Sequence, residues 1–125
     1  MLSKILLIAL AGAGGTLARY WLSGLVYSVL GRGFPWGTAV VNVFGSFLFG
    51  LIWILAENRM AINAETRTIL LVGFMGAFTT FSTFIFESSA LMTDLQWARL
   101  AVNVVGQVLV GLVALRLGFF FGRIL

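Results

Sequence analysis

The sequence predicts an all-α integral membrane protein of four transmembrane helices, the third of them broken at mid-membrane. Three observations carry this. Of the 125 residues, 61% are hydrophobic and 10% charged, with mean hydropathy +1.08. So small a soluble domain has too little interior to hide that much apolar surface. Residues 33–56 and 68–86 are uncharged runs close to the ~20 residues that cross a hydrocarbon core. Residues 5–30 and 100–124 are apolar runs interrupted only by Arg19 and by Arg116 and Arg123.

The first helix is expected over 3–30. Lys4 before an apolar run, with small residues at 11–13, resembles a leader peptide. The apolar pattern resumes from Arg19 to Leu30, however, so the segment is expected to be retained as a span. Residues 31–35, Gly-Arg-Gly-Phe-Pro, read as a loop. Pro35 stands just ahead of the second helix (36–56), where its missing N–H does no harm. Glu57, Asn58 and Arg59 close that helix, and Asn63, Ala64 and Glu65 lead into the third (67–92). Residues 93–96, Thr-Asp-Leu-Gln, turn into the fourth (97–123). The connections are short, which leaves one transmembrane domain over residues 1–125.

Charge and composition exclude several classes. Eight Lys and Arg face four Asp and Glu, and they are scattered as membrane-interface anchors are, with no nucleic-acid-binding stripe. Without Cys or His there is no thiolate nucleophile, no disulfide and no imidazole base. The carboxylates, Glu57, Glu65, Glu87 and Asp94, form no pair at helical spacing inside an apolar segment, so an enzyme is not expected. An even number of spans puts both termini on one side. Lys4, Arg59, Arg67 and Arg123 mark that side; Arg32 and Arg99 mark the other, with Arg19 close to it. So weak an asymmetry is compatible with one fixed orientation or with both, and in the second case two opposed copies could pair.

The polar chemistry concentrates in the third span, at Gly73-Phe-Met-Gly-Ala-Phe-Thr-Thr-Phe-Ser-Thr-Phe84. Hydroxyls in a bilayer can bond back to their own helix. Four hydroxyls in five residues after a glycine pair exceed what that requires. A break near residues 76–80 would gather carbonyls able to hold a hard cation. Phe78, Phe81 and Phe84 recur every three residues beside Thr79, Ser82 and Thr83. Such a stripe either packs the helix or turns positive ring edges and hydroxyl donors toward an anion. With no fixed charge in the stretch, an anion could pass without being held tightly. Asn42 is the amide of the second helix; it glues helices or donates to a small anion. Asn103 and Gln107, one turn apart, could extend a polar track. Arg19 either snorkels to the interface or draws anions into a vestibule.

Residues 12–19 (Gly-Ala-Gly-Gly-Thr-Leu-Ala-Arg), residues 35–42 (Pro-Trp-Gly-Thr-Ala-Val-Val-Asn) with Gly45 and Ser46, and the third-span motif resemble the Fluc/CrcB fluoride channels over the whole chain. The resemblance implies an antiparallel, dual-topology homodimer in the bacterial inner membrane, with two fluoride pores at its interface. A structural sodium ion (Na+) would sit at the centre, on main-chain carbonyls matching Gly76 and Thr79. Asn42, Phe81, Ser82, Thr83 and Phe84 match the pore residues, and Arg19 the vestibule arginine. Two departures stand out: Gly76-Ala77 where many members have Gly-Gly, and Gln107 where relatives often carry a small hydroxyl residue. Two alternatives have similar dimensions. A small multidrug-resistance-type proton-coupled exporter needs a carboxylate in its first helix, and this chain has none there. A structural membrane subunit would account for the in-span glycines but not for the Phe/hydroxyl stretch. Glu87 reads as an interface or inter-helix partner, with a proton or pore-mouth role as the alternative.

Overall fold

The computed structural model describes residues 1–58 and 62–125. Arg59, placed above on the side of the termini, lies outside the described residues. The described elements are all helical: α1 (Leu2–Leu30), α2 (Trp36–Asn58), α3 (Ala64–Thr68), a π-helix (Ile69–Met75), α4 (Gly76–Phe78), α5 (Phe81–Thr93) and α6 (Trp97–Ile124). Together α3, the π-helix, α4 and α5 make the third span, Ala64–Thr93. The four spans are long and apolar enough to cross a membrane and lie close to the expected boundaries.

Local chemistry sets the ends. Gly31 takes φ 79°, open to glycine at little cost, and its N–H donates to the Tyr27 carbonyl to end α1. Pro35 contributes only its carbonyl, which accepts from Ala39 N at 3.1 Å. The Asn63 side chain caps α3 by accepting from Thr66 N at 2.8 Å. After Thr93, the N–H groups of Leu95 and Gln96 return to the carbonyls of Met92 and Leu91, with Leu95 at φ 57°. This is a Schellman close with leucine in the left-handed position usually given to glycine.

The core is small: Val41, Leu71, Met75 and Phe78 are buried together, flanked by Leu22, Leu48 and Trp53 among others. Only Gly15 is buried in all of α1, so most of that helix faces lipid or another chain. Helices α2 and α6 approach backbone to backbone. A Cβ on Gly118 would lie 2.8 Å from Leu51 N and run into the Phe47 carbonyl, and one on Gly122 would lie 2.9 Å from Ile54. Small residues permit this closeness, and dispersion contacts between helices reward it in a bilayer. On the other side α1 lies against the π-helix. A Cβ on Gly73 would sit 2.9 Å from Ala11 Cβ and from the Ile8 carbonyl. The π-helix was not expected from the sequence, because hydropathy is the same for either helical winding. At the rims, Arg67 lies over the Trp53 ring (4.0 Å), Arg32 over Tyr27 (4.8 Å), and Arg99 donates to the Gly33 carbonyl (2.7 Å). These are interfacial anchoring arrangements.

Candidate functional site at the helix break

The third span breaks at two consecutive extended residues, Thr79 (φ −81°, ψ 156°) and Thr80 (φ −145°, ψ 119°). This is inside the expected window. Thr79 N–H still closes α4 on the Met75 carbonyl at 3.1 Å, and its hydroxyl donates to the same oxygen at 3.0 Å. In an unbroken helix, Thr80 N–H would serve the Gly76 carbonyl and Thr83 N–H the Thr79 carbonyl. Both donors are taken by side chains instead. Thr80 N–H goes to Asn42 Oδ1 (2.8 Å), and Thr83 N–H goes to Thr80 Oγ1 (3.3 Å), which makes Thr80 the N-cap of α5. The carbonyls of Gly76, Ala77, Phe78 and Thr79 all precede the new helix start and lose their helical donors, the expected pair Gly76 and Thr79 among them. Gly76 is exposed and Thr79 half-buried. Carbonyl oxygens freed at a helix C-terminus carry its negative dipole end and suit a hard monovalent or divalent cation. The residues present therefore fit a main-chain cation site, and no cluster of His, Cys, Asp or Glu able to hold a metal exists among the described residues.

Asn42 is more heavily engaged than its sequence context indicates. Besides accepting from Thr80 N, it donates through Nδ2 to the Thr80 carbonyl (3.0 Å) and to Gln107 Oε1 (2.9 Å). Its amide meets the extended Thr80 as a neighbouring strand would. Both N–H groups and the oxygen are used within the chain itself. The polar track expected on the fourth helix is present as a chain of bonds. Gln107 Nε2 donates to Asn103 Oδ1 (2.8 Å), Asn103 Nδ2 to Ser88 Oγ (3.0 Å), and Ser88 Oγ to the Phe84 carbonyl (2.7 Å).

The aromatic stripe does not share one face. The break falls between Phe78 and Phe81. Phe78, 3% exposed, stacks on Phe74 at 5.9 Å and meets Phe44 edge-on. Phe81 is 73% exposed, while Phe84, 5.9 Å away between centroids, is 7% exposed. Ser82 is exposed and Thr83 half-buried; the Thr80 hydroxyl donates to Thr83 Oγ1 at 3.1 Å.

Two clefts share Thr80 in their walls. One, of about 290 Å³, is lined by Asn42, Ser46, Phe49, Thr79, Thr80 and Phe81. The other, of about 280 Å³, joins Arg19 to Thr38, Thr80, Thr83 and Glu87. Arg19 is half-buried there instead of standing free at a rim. Glu87 is an inter-helix partner, as expected. Its Oε1 accepts from the Thr38 hydroxyl (2.7 Å) and the Tyr27 hydroxyl (3.4 Å). Gly37 leaves the space in which the Tyr27 ring lies. The other Glu87 oxygen is buried with no hydrogen-bond partner among the described residues. The sequence marks Thr80 only as one of four hydroxyls at the end of the break window, without its capping role, and does not mark Ser88. A threonine immediately ahead of the Phe81–Thr93 helical run is the N-cap signal that points to the first.

The chain matches the family described as CrcB-like protein, Camphor Resistance (CrcB), over residues 6–119. It is 60% identical over 125 residues to the fluoride-specific ion channel FluC of Solidesulfovibrio magneticus, covering 100% of both chains. It is 57% identical to the fluoride-specific ion channel FluC of Nitrosococcus oceani, again over 100% of both. Against the protein of that name from Nitratidesulfovibrio vulgaris (strain Miyazaki F) it is 51% identical over 123 residues, 98% of this chain and 99% of the other. The matched span contains the break, both clefts and the amide chain, and a multi-pass membrane protein with these features belongs to the CrcB family.

Proposed function

We propose that this chain is a fluoride-selective passive channel that lets fluoride leave the cytoplasm across the inner membrane. It is a transport protein and not an enzyme. The observation that carries the reading is Phe81: a large ring at mid-span, 73% exposed on the protomer, beside the exposed Ser82 hydroxyl. Bare rings elsewhere on the surface can face lipid, but a hydroxyl beside one is poorly served by lipid tails and fits a polar path better. A residue lining a path between two copies stands like this in one copy. Relatives identical at 51–60% of positions over nearly the whole chain and named fluoride-specific channels support the same reading.

The assembly proposed is an antiparallel homodimer with two pores at its interface. The carbonyls of Gly76 and Thr79 from both copies face each other at its centre, where a structural sodium ion would neutralise them. Fluoride is small and strongly hydrated, so its water donors must be replaced stepwise. The Ser82 and Thr83 hydroxyls can rotate toward it, and the edges of Phe81 and Phe84 are positive. Asn42 contributes an oriented amide dipole held by Thr80 and Gln107. Arg19, in the cleft it shares with Thr80 and Thr83, raises the local concentration of anions. No full positive charge belongs to the Phe/hydroxyl stretch, so each contact is weak and release is fast.

The test is fluoride efflux from proteoliposomes, followed with a fluoride electrode and with chloride as control. Rapid loss of fluoride with chloride retained is expected. Equal loss of both ions, or proton-coupled loss of organic cations with fluoride retained, would overturn the proposal.

A further inference from the structure

The hydrogen bonds around Asn42 form one unidirectional chain. It runs from Thr80 N–H to Asn42, then to Gln107, Asn103, Ser88 and finally the Phe84 carbonyl, over bonds of 2.8, 2.9, 2.8, 3.0 and 2.7 Å. Both ends are backbone groups whose donor or acceptor character cannot change, and this fixes the sense of every amide between them. A flip of any one amide would set donor against donor and acceptor against acceptor. Asn103 is 1% exposed and Ser88 6%, so water cannot substitute for a lost link. The chain begins at the break residue and ends four residues later, in the first turn of α5. It thereby ties both sides of that turn to α2 and α6.

Gln107 is the central link, because its Oε1 accepts the second N–H of Asn42. We propose that Gln107 is a positioning residue: by holding the Asn42 amide in plane it keeps Thr80 extended and keeps the Gly76 carbonyl free of the Thr80 N–H. Without that acceptor, Asn42 can turn away, Thr80 N–H can return to Gly76, and the break closes toward helix. The consequence for transport rests on the channel reading above; the consequence for the backbone does not.

The experiment compares wild type, Gln107→Met and Gln107→Glu in liposomes, by 13C NMR of labelled threonine and by fluoride efflux. Met keeps length and apolar contact but removes the acceptor. Thr80 Cα and Cβ shifts are expected to be extended in wild type and to move toward helical values in Gln107→Met. Fluoride flux should fall about tenfold, the scale of one lost hydrogen bond. Unchanged shifts, or shifted resonances with wild-type flux, would overturn the proposal. The cleft into which Gln107 opens has no charged side chain, and the Glu87 carboxylate on α5 is engaged by Thr38 and Tyr27. In Gln107→Glu the side chain accepts from Asn42 in either protonation state, and the protonated form also donates to Asn103. Because the acceptor toward Asn42 is kept, its Thr80 shifts should stay extended, in contrast to those of Gln107→Met. This arm keeps the proposal open to refutation if Gln107→Met fails to assemble: helical Thr80 shifts in Gln107→Glu would count against it. Should wild type carry no fluoride, the channel reading fails while the Thr80 shifts still decide the role of Gln107.

Discussion

The side-chain amide of Asn42 pairs with both backbone groups of Thr80, accepting from its N–H at 2.8 Å and donating to its carbonyl at 3.0 Å. One side chain of α2 thereby does for an extended residue what a neighbouring strand does in a sheet. In a bilayer interior this matters, because a backbone group released from a helix has no water to turn to.

Asn42→Asp tests this pairing. The carboxylate can still accept from Thr80 N–H, but it places oxygen against the Thr80 carbonyl and Gln107 Oε1. Two opposed acceptor pairs and a charge at membrane depth should lower stability by about 2–3 kcal/mol or more. Fluoride flux should collapse as well, since a negative charge then stands beside the path. Thermal melting in detergent and liposome efflux check the two effects. A folded variant with wild-type flux would place the path elsewhere.

Phe81 and Phe84 should separate transport from folding. Phe81 is exposed in the protomer and Phe84 is buried. Phe84→Ile is expected to cost roughly 1–2 kcal/mol of protomer stability through imperfect refilling. Phe81→Ile should leave the protomer as stable as before. Both remove a ring edge, so both should reduce fluoride flux. Loss of flux in Phe84→Ile alone would mean that Phe81 only packs against a partner or lipid.

Backbone contact between α2 and α6 predicts a sharp contrast between glycines. Gly118→Ala puts a methyl group against the Phe47 carbonyl and should destabilise by about 1–3 kcal/mol as the helices are pushed apart. Nothing lies within 4 Å of a Cβ on Gly24, so Gly24→Ala should be neutral or slightly stabilising in the same melting assay.

The antiparallel arrangement is accessible to chemistry because the chain has no native cysteine. Arg32 is exposed in the loop between α1 and α2. In Arg32→Cys, an impermeant thiol reagent should label some copies from outside and the remainder only after the membrane is opened. Labelling from a single side would show one orientation and exclude the opposed dimer.

The amino-acid sequence by itself determined the four spans and their ends, because both are local. A run of apolar residues reports its length against the bilayer wherever it sits, and Pro35, Asn63 and Gly31 act through their own φ angles, missing N–H or capping oxygen. It also marked the third span as the place where the helix would fail, through the crowding of hydroxyls after Gly73 and Gly76. Only the tertiary structure decided where and how. The break falls at Thr79 and Thr80 because Asn42 on another helix offers Thr80 a better-placed partner than Gly76 does. The same distant contacts separated Phe78 from Phe81, bound Glu87 to Thr38 and Tyr27, and joined Gln107 to Asn42. Hydropathy records aversion to water and cannot distinguish an apolar face turned to lipid from one turned to protein. Nor can spacing along one helix reveal a hydrogen-bond partner supplied by another.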